Sequence, residues 1–190
     1  MQKVLLIDNY DSFVYNLKQI LEESGICEVT LIMNDKVCIE EAQKFDRIII
    51  SPGPGLPKEA GNVLNIIEKL SDSKPILGIC LGCQAIVETF GGSLFQFKKI
   101  YHGHQSELIR TNSDETVFIN IAHRFKAGRY HSWGIEIPEN SDLIVTSLTE
   151  NGYAMSVRHK SKNVCGLLFH PESIMTHAGK TMIENWLRYS

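Results

Sequence analysis

Three aliphatic runs without polar alternation, Val4-Leu5-Leu6-Ile7, Ile48-Ile49-Ile50 and Ile76-Leu77-Gly78-Ile79, constrain the fold of this chain most. A strand with one wet face alternates apolar and polar residues. A strand covered on both faces reads as a continuous apolar run, and such strands belong to parallel sheets with helices on either side. Each run is followed by a helical repeat. After the first, Asp11 or Ser12 can cap a helix whose apolar face is Phe13, Leu17, Ile20 and Leu21 and which Gly25 ends. The second leads into Ser51-Pro52-Gly53-Pro54-Gly55 and then Val63, Leu64, Ile66, Ile67 and Leu70 at helical spacing. The third turns at Cys80 straight into a helix carrying Ala85, Ile86 and Val87, closed by Gly91-Gly92. Repeated strand-then-helix units predict an α/β fold, with a mostly parallel central sheet flanked by helices.

Beyond Gly92 the helical signal fades. Stretches 128–137, 143–148, 153–158 and 164–169 alternate with turns and read as strands, several of them antiparallel, added to that sheet. A last helix, from about Gly179 to Tyr189, carries Met182, Ile183, Trp186 and Leu187 on one face. The 190 residues, 43% of them apolar, suffice for one core, and no repeat or linker divides them, so a single domain over residues 1–190 is expected.

The net charge is −3 and the Lys and Arg residues are scattered, which leaves no basic stripe for nucleic acid. The N-terminal apolar run is too short and too soon acidic for a signal peptide. No stretch approaches the ~20 apolar residues that cross a bilayer, so a cytoplasmic enzyme away from membranes is expected. Five cysteines, an odd number, point to reduced thiols, and Cys27, Cys38 and Cys165 are expected in the core.

In Gly78-Ile79-Cys80-Leu81-Gly82 a cysteine lies between two glycines where a buried strand becomes a helix, the arrangement of a nucleophile elbow with sulfur in place of the serine oxygen. So sharp a turn brings strand and helix too close for side chains at Gly78 and Gly82, and lifts the Cys80 sulfur above the sheet edge. The helix N-terminus offers that sulfur partial positive charge and free N–H groups, so the Leu81 backbone is expected to donate to an oxyanion. Further on, Phe169-His170-Pro171-Glu172 places a histidine and a glutamate two apart in extended chain, where both project to one side. The glutamate can then hold the imidazole as base and acid. The loop after the second strand should lie at the same carboxyl edge of the sheet, where the Gly55 N–H is the expected second oxyanion donor.

Taken together, these segments resemble the class I glutamine amidotransferases, and among them the small subunits of anthranilate synthase and aminodeoxychorismate synthase. The resemblance rests on residues 6–13, Leu-Ile-Asp-Asn-Tyr-Asp-Ser-Phe, on Ser-Pro-Gly-Pro-Gly and on Leu-Gly-Ile-Cys-Leu-Gly-Cys-Gln. It continues through His102-Gly103, Arg129-Tyr130-His131-Ser132 and His170-Pro171-Glu172-Ser173-Ile174-Met175-Thr176. It implies Cys80 as nucleophile, His170 as acid and base, and Glu172 as its orienting partner. Gly53, Pro54, Gly55, Leu81, Gln84, Ser132 and Trp133 would hold L-glutamine, with neither metal nor organic cofactor. The implied partner is a chorismate-using synthase large subunit, with the product, anthranilate or aminodeoxychorismate, left open.

Three positions depart from the family pattern: Cys83 where histidine is common, Trp133 where leucine is, and His104 where a lysine follows His-Gly. None removes a catalytic atom. Other readings compete. Cys80-Leu81-Gly82-Cys83 is a C-x-x-C at a helix start, in isolation a zinc or redox motif. With His-x-Glu it resembles the zinc nucleobase deaminases, but there His-x-Glu comes first, and here the order is reversed. A γ-glutamyl hydrolase-like cysteine hydrolase would keep the elbow and change the substrate. A non-catalytic module would keep only the fold.

Overall fold

In the computed structural model, which describes residues 1–98, 101–111 and 115–190, the three aliphatic runs pair side by side as parallel strands. β1 (Gln2–Asp8), β3 (Arg47–Ile50) and β4 (Ile76–Ile79) are neighbours, with Ile7 opposite Ile50 and Ile50 opposite Gly78. β2 (Cys27–Met33) lies outside β1 in parallel register. β11 (Val164–Leu167) flanks β4 on the far side, Ile79 opposite Leu167.

Four of these parallel strands, β1, β3, β4 and β11, therefore end side by side, at Asp8, Ile50, Ile79 and Leu167. The chain segments that leave their carboxyl ends are those singled out by sequence: residues 9–13, 51–55, Cys80 and 168–172. This is where open α/β sheets place ligands.

β11 is also the hinge of topology. A short turn joins β10 (Ala154–His159) to it, and a turn that short can only connect antiparallel strands. From β10 the sheet continues antiparallel through β9 (Leu143–Thr149), β6 (His104–Arg110) and β7 (Arg124–Arg129), making nine strands among the described residues. β5 (Ser93–Gln96) and β8 (Trp133–Glu136) form a separate antiparallel pair. Helices α1 (Val14–Glu23), α2 (Ile39–Ala42), α3 (Val63–Leu70), α4 (Leu81–Thr89) and α5 (Gly179–Tyr189) cover the sheet. Among the described residues no helix is long and apolar enough to cross a membrane.

Several details depart from the sequence reading. Helix α1 starts at Val14 without a side-chain cap; Asp11 instead accepts the Phe13 N–H at 2.7 Å, ahead of the helix. Gly25, at φ +66°, ends it as expected. The stretch 128–137 is broken into β7 and β8, which belong to different sheets. Strands β2, β5 and β6 carry mixed or polar patterns and gave no clear signal. Cys27 and Cys165 are buried, but Cys38 is exposed: it precedes α2 at the surface, and its neighbour Val37 takes the inward position.

Close packing of α4 explains both elbow glycines, by two different contacts. A Cβ on Gly78 would lie 2.4 Å from the Gly82 carbonyl carbon and oxygen, in the helix backbone itself. A Cβ on Gly82 would lie 2.5 Å from the Ile50 carbonyl oxygen, so that glycine faces β3 and not β4. Neither obstacle is a flexible side chain. Gly78→Ala is therefore expected to cost about 2 kcal/mol or more, read as a lower urea midpoint at unchanged slope.

Candidate active site

Cys80 joins β4 to α4 with no residue to spare, and its backbone shows it: φ is +50° and ψ −102°. A non-glycine residue there costs on the order of 1–3 kcal/mol and persists only when its surroundings hold it. Two bonds do so. The Cys80 N–H donates to Leu167 O at 2.8 Å, and its carbonyl accepts the Gln84 N–H at 3.0 Å. Cys80 is 7% exposed, at the mouth of the helix whose first amide is that of Leu81.

The strand beside β4 delivers the imidazole. His170 follows β11 closely, and its N–H donates to Gly128 O at 3.0 Å while its carbonyl accepts the Thr176 hydroxyl at 2.6 Å. Thr176 accepts in turn from the Gly128 N–H at 2.9 Å. Nδ1 of His170 lies 2.6 Å from Glu172 Oε1, both side chains being buried. Nε2 has no hydrogen-bond partner among the described residues, and Cys80, with which His170 shares a cavity wall, is the largest charge influence on the ring. Burial is the largest single effect on this ring and lowers its pKa. Negative charge on Cys80 and the hydrogen bond and charge of Glu172 together outweigh burial and raise the value well above the usual histidine range.

The loop after β3 is pinned by the first motif of the chain. Asn9 N–H donates to Ser51 Oγ at 2.9 Å, Asn9 Nδ2 to Ser51 O at 2.8 Å, and Asn34 Nδ2 holds Asn9 Oδ1 at 3.0 Å. Gly53 lies so close that a Cβ there would be 2.5 Å from Asn9 Cβ and 3.0 Å from Leu81 Cδ2. Gly55, at φ +76°, turns the loop, and Glu59 accepts the next amide, Leu56 N–H, at 2.9 Å.

Cys80 lines two cavities. One, of about 250 Å³, is bounded by Gly53, Pro54, Gly55, Gln84, Ser132 and Trp133 among others. The second, of about 290 Å³, has Tyr10 to Phe13, His102, Tyr130 and His170 in its wall. The ten site residues expected from sequence thus gather around one sulfur: Leu81 contributes from the start of α4, Glu172 from behind His170, and the rest from the cavity walls. Gln84 is no solvated helix residue. It is 3% exposed and its Nε2 donates to Trp133 O at 3.4 Å. Asn9, His131 and Thr176 were not singled out by sequence reasoning, although all three lie in the motifs that carry the family resemblance.

Cys83 takes no part in this cluster. Its sulfur packs against Gly166 of β11, where a Cβ would approach it to 2.7 Å, and burial pushes its thiol pKa well up. Among the described residues no three His, Cys, Asp or Glu side chains converge to hold a metal ion. The opposing influences on His170 are separable by NMR titration. The imidazole of the native protein should keep its proton above the usual histidine range and lose it as pH rises through the raised value, so stability linked to the charged ring is complete below its ordinary pKa. Cys80→Ser and Glu172→Gln should each lower the midpoint, because burial is then less opposed; a native midpoint at or below the usual value would contradict this electrostatic account.

Comparison with known proteins identifies the family and the fold. The family model described as glutamine amidotransferase class-I matches residues 5–189. Anthranilate synthase component 2 of Pyropia yezoensis is 42% identical over 98% of this chain and 100% of its own length. Aminodeoxychorismate/anthranilate synthase component 2 of Bacillus subtilis is 40% identical over 97% of this chain and 95% of its own. The chain spans only 32% of the bifunctional protein TrpGD of Thermotoga maritima, to which it is 39% identical. The crystal structure of a protein from Thermoplasma acidophilum, described as part of a GMP synthase, superposes with a TM-score of 0.87 at 25% identity, over 98% of this chain and 92% of the other. By sequence along nearly its whole length, and by fold, the chain belongs to the class I glutamine amidotransferases.

Proposed function

We infer that the whole chain, residues 1–190, acts as one glutaminase unit that supplies ammonia to a chorismate-using synthase subunit. The observation that carries this reading is the meeting at Cys80 of three things. They are a strained elbow at a helix N-terminus, the buried His170–Glu172 pair at 2.6 Å, and a cavity of about 250 Å³ lined by Gln84, Ser132 and the Gly53–Gly55 loop.

Glutamine enters that cavity with its carboxamide at the sulfur. Cys80 Sγ attacks the amide carbon, and the oxyanion is held by the Leu81 and Gly55 N–H groups. Two contacts support this pair of donors. Leu81 opens α4, where amides have no partner within the helix, and its side chain packs on Gly53, which ties the two segments together. His170 Nε2 gives its proton to the leaving nitrogen, the C–N bond breaks, and ammonia departs from a glutamyl thioester on Cys80. Water then attacks the thioester, His170 takes its proton, the C–S bond breaks and glutamate leaves. Glutamine and water have become glutamate and ammonia.

The relatives named as component 2 of anthranilate or aminodeoxychorismate/anthranilate synthase favour such a recipient for that ammonia. The same reading places the enzyme in the cytoplasm, where a free thiol such as Cys80 stays reduced.

Cys80→Ser is expected to lower glutamine-dependent turnover by at least about a thousandfold while the complex still makes product from free ammonia. His170→Ala should match it, and Glu172→Ala should be milder by roughly one to two orders of magnitude. Near-normal glutaminase turnover in Cys80→Ser would refute the nucleophile. Addition of the synthase subunit should raise the glutaminase rate, because ammonia made without a recipient is lost; equal rates with and without it at saturating glutamine would refute the coupling.

A further inference from the structure

The bend between β7 and β8 forms one wall of the cavity assigned above to glutamine, and a single buried imidazole holds it from within. Between Arg129 and Trp133 the chain leaves the nine-stranded sheet for the two-stranded one. On one side, carbonyls of the bend are taken by backbone amides: Phe97 N–H donates to Ser132 O at 2.9 Å and Tyr101 N–H to His131 O at 3.3 Å. On the other, the bond comes from a side chain. His131 Nδ1 lies 2.8 Å from Trp133 O, and a carbonyl only accepts, so Nδ1 carries the proton. Nε2 is then the acceptor, and Arg129 Nε, which only donates, sits 3.2 Å from it.

His131 is 4% exposed, and burial, aided by the Arg129 charge, brings its pKa down to about 3. It is neutral, in one tautomer, throughout the range in which such an enzyme works. The Trp133 carbonyl has a second donor, Gln84 Nε2, but at the longer distance of 3.4 Å.

We propose that His131 is a positioning residue for glutamine recognition: oriented by Arg129, its imidazole clamps the Trp133 carbonyl together with Gln84 and so sets the Ser132–Trp133 peptide in the cavity wall. This rests on the reading that the cavity takes glutamine. Without the imidazole, Trp133 O loses its 2.8 Å bond and is left with the longer one from Gln84 at 3.4 Å, and Arg129 Nε loses its acceptor. The effect should fall on binding. The reacting groups, Cys80 and the His170–Glu172 pair, are positioned by their own bonds to Leu167, Gly128 and Thr176.

Steady-state glutaminase kinetics of three variants test this. His131→Ala should raise KM about tenfold, the effect of one buried hydrogen bond lost, with kcat within about threefold. His131→Asn, whose amide nitrogen can occupy the Nδ1 position, should recover most of the loss. His131→Leu, which fills the space but cannot donate, should not. An unchanged KM in His131→Ala, or a Leu variant as good as Asn, would overturn the proposal.

A second readout does not depend on turnover. The chain has two tryptophans, so 5-fluorotryptophan labelling gives two ¹⁹F signals, with fully buried Trp186 as internal reference for folding. The Trp133 signal should shift and broaden in His131→Ala and return in His131→Asn, while Trp186 stays put. A Trp133 signal unmoved in His131→Ala would overturn the positioning role. Absence of glutaminase activity in the native protein would overturn the glutamine reading instead, and the ¹⁹F comparison would still decide whether His131 sets this wall.

Discussion

The site is shaped first by the contact of helix α4 with strands β4 and β3 at the limit of atomic approach. Gly78 meets the helix backbone at Gly82, and Gly82 meets the backbone of β3 at Ile50, so helix and sheet touch main chain to main chain. A helix held so close leaves a single residue to reverse the chain, and Cys80 takes the positive-φ backbone that this requires. The strain, on the order of 1–3 kcal/mol, is offset by the bonds Cys80 makes to Leu167 and Gln84 and by the apolar residues that α4 buries. From that one contact follow the place of Cys80 in the cavity walls, the direction of the helix N-terminus and the placing of Leu81 against Gly53.

The antiparallel half of the sheet supports the same chemistry from the other side. β11 lies in parallel register with β4, which brings the segment after Leu167 beside Cys80. β7 then anchors that segment: Gly128 bonds to both His170 and Thr176, and a side chain on Gly128 would run into Ser173. The Tyr130 ring stands edge-on to the imidazole of His170 at 4.9 Å and its hydroxyl reaches Ser173 at 3.1 Å.

Two buried histidines in this region are held in opposite states by their neighbours. His170, beside Cys80 and Glu172, has its pKa raised against the effect of burial; His131, beside Arg129, is lowered to about 3 with burial's help. The first is suited to give and take a proton, the second to keep a fixed hydrogen-bonding pattern. Their burial is nearly the same, so the sign of the adjacent charge makes the difference.

Much of this was legible in the chain itself. Doubly covered parallel strands need unbroken aliphatic runs and a one-residue elbow needs glycines; both are local requirements that residue order states directly. The His-x-Glu pair was read as extended chain, but a turn at 171–172, closed by the Ser173 N–H on the His170 carbonyl at 3.3 Å, is what brings the two side chains together. The more polar strands were not legible, because β2, β5 and β6 gain their strand conformation from pairing with neighbours and not from a pattern of their own. The exposure of Cys38 and the burial of Gln84 escaped for a related reason: one cysteine or one glutamine carries no period, and its burial depends on what packs above it. That His131 reaches from the bend to the Trp133 carbonyl, and that Asn9 pins Ser51, are likewise facts of three dimensions. They join residues whose spacing or types imply no contact: the bend between β7 and β8 turns His131 back onto Trp133, and the neighbouring ends of β1 and β3 bring Asn9 to Ser51.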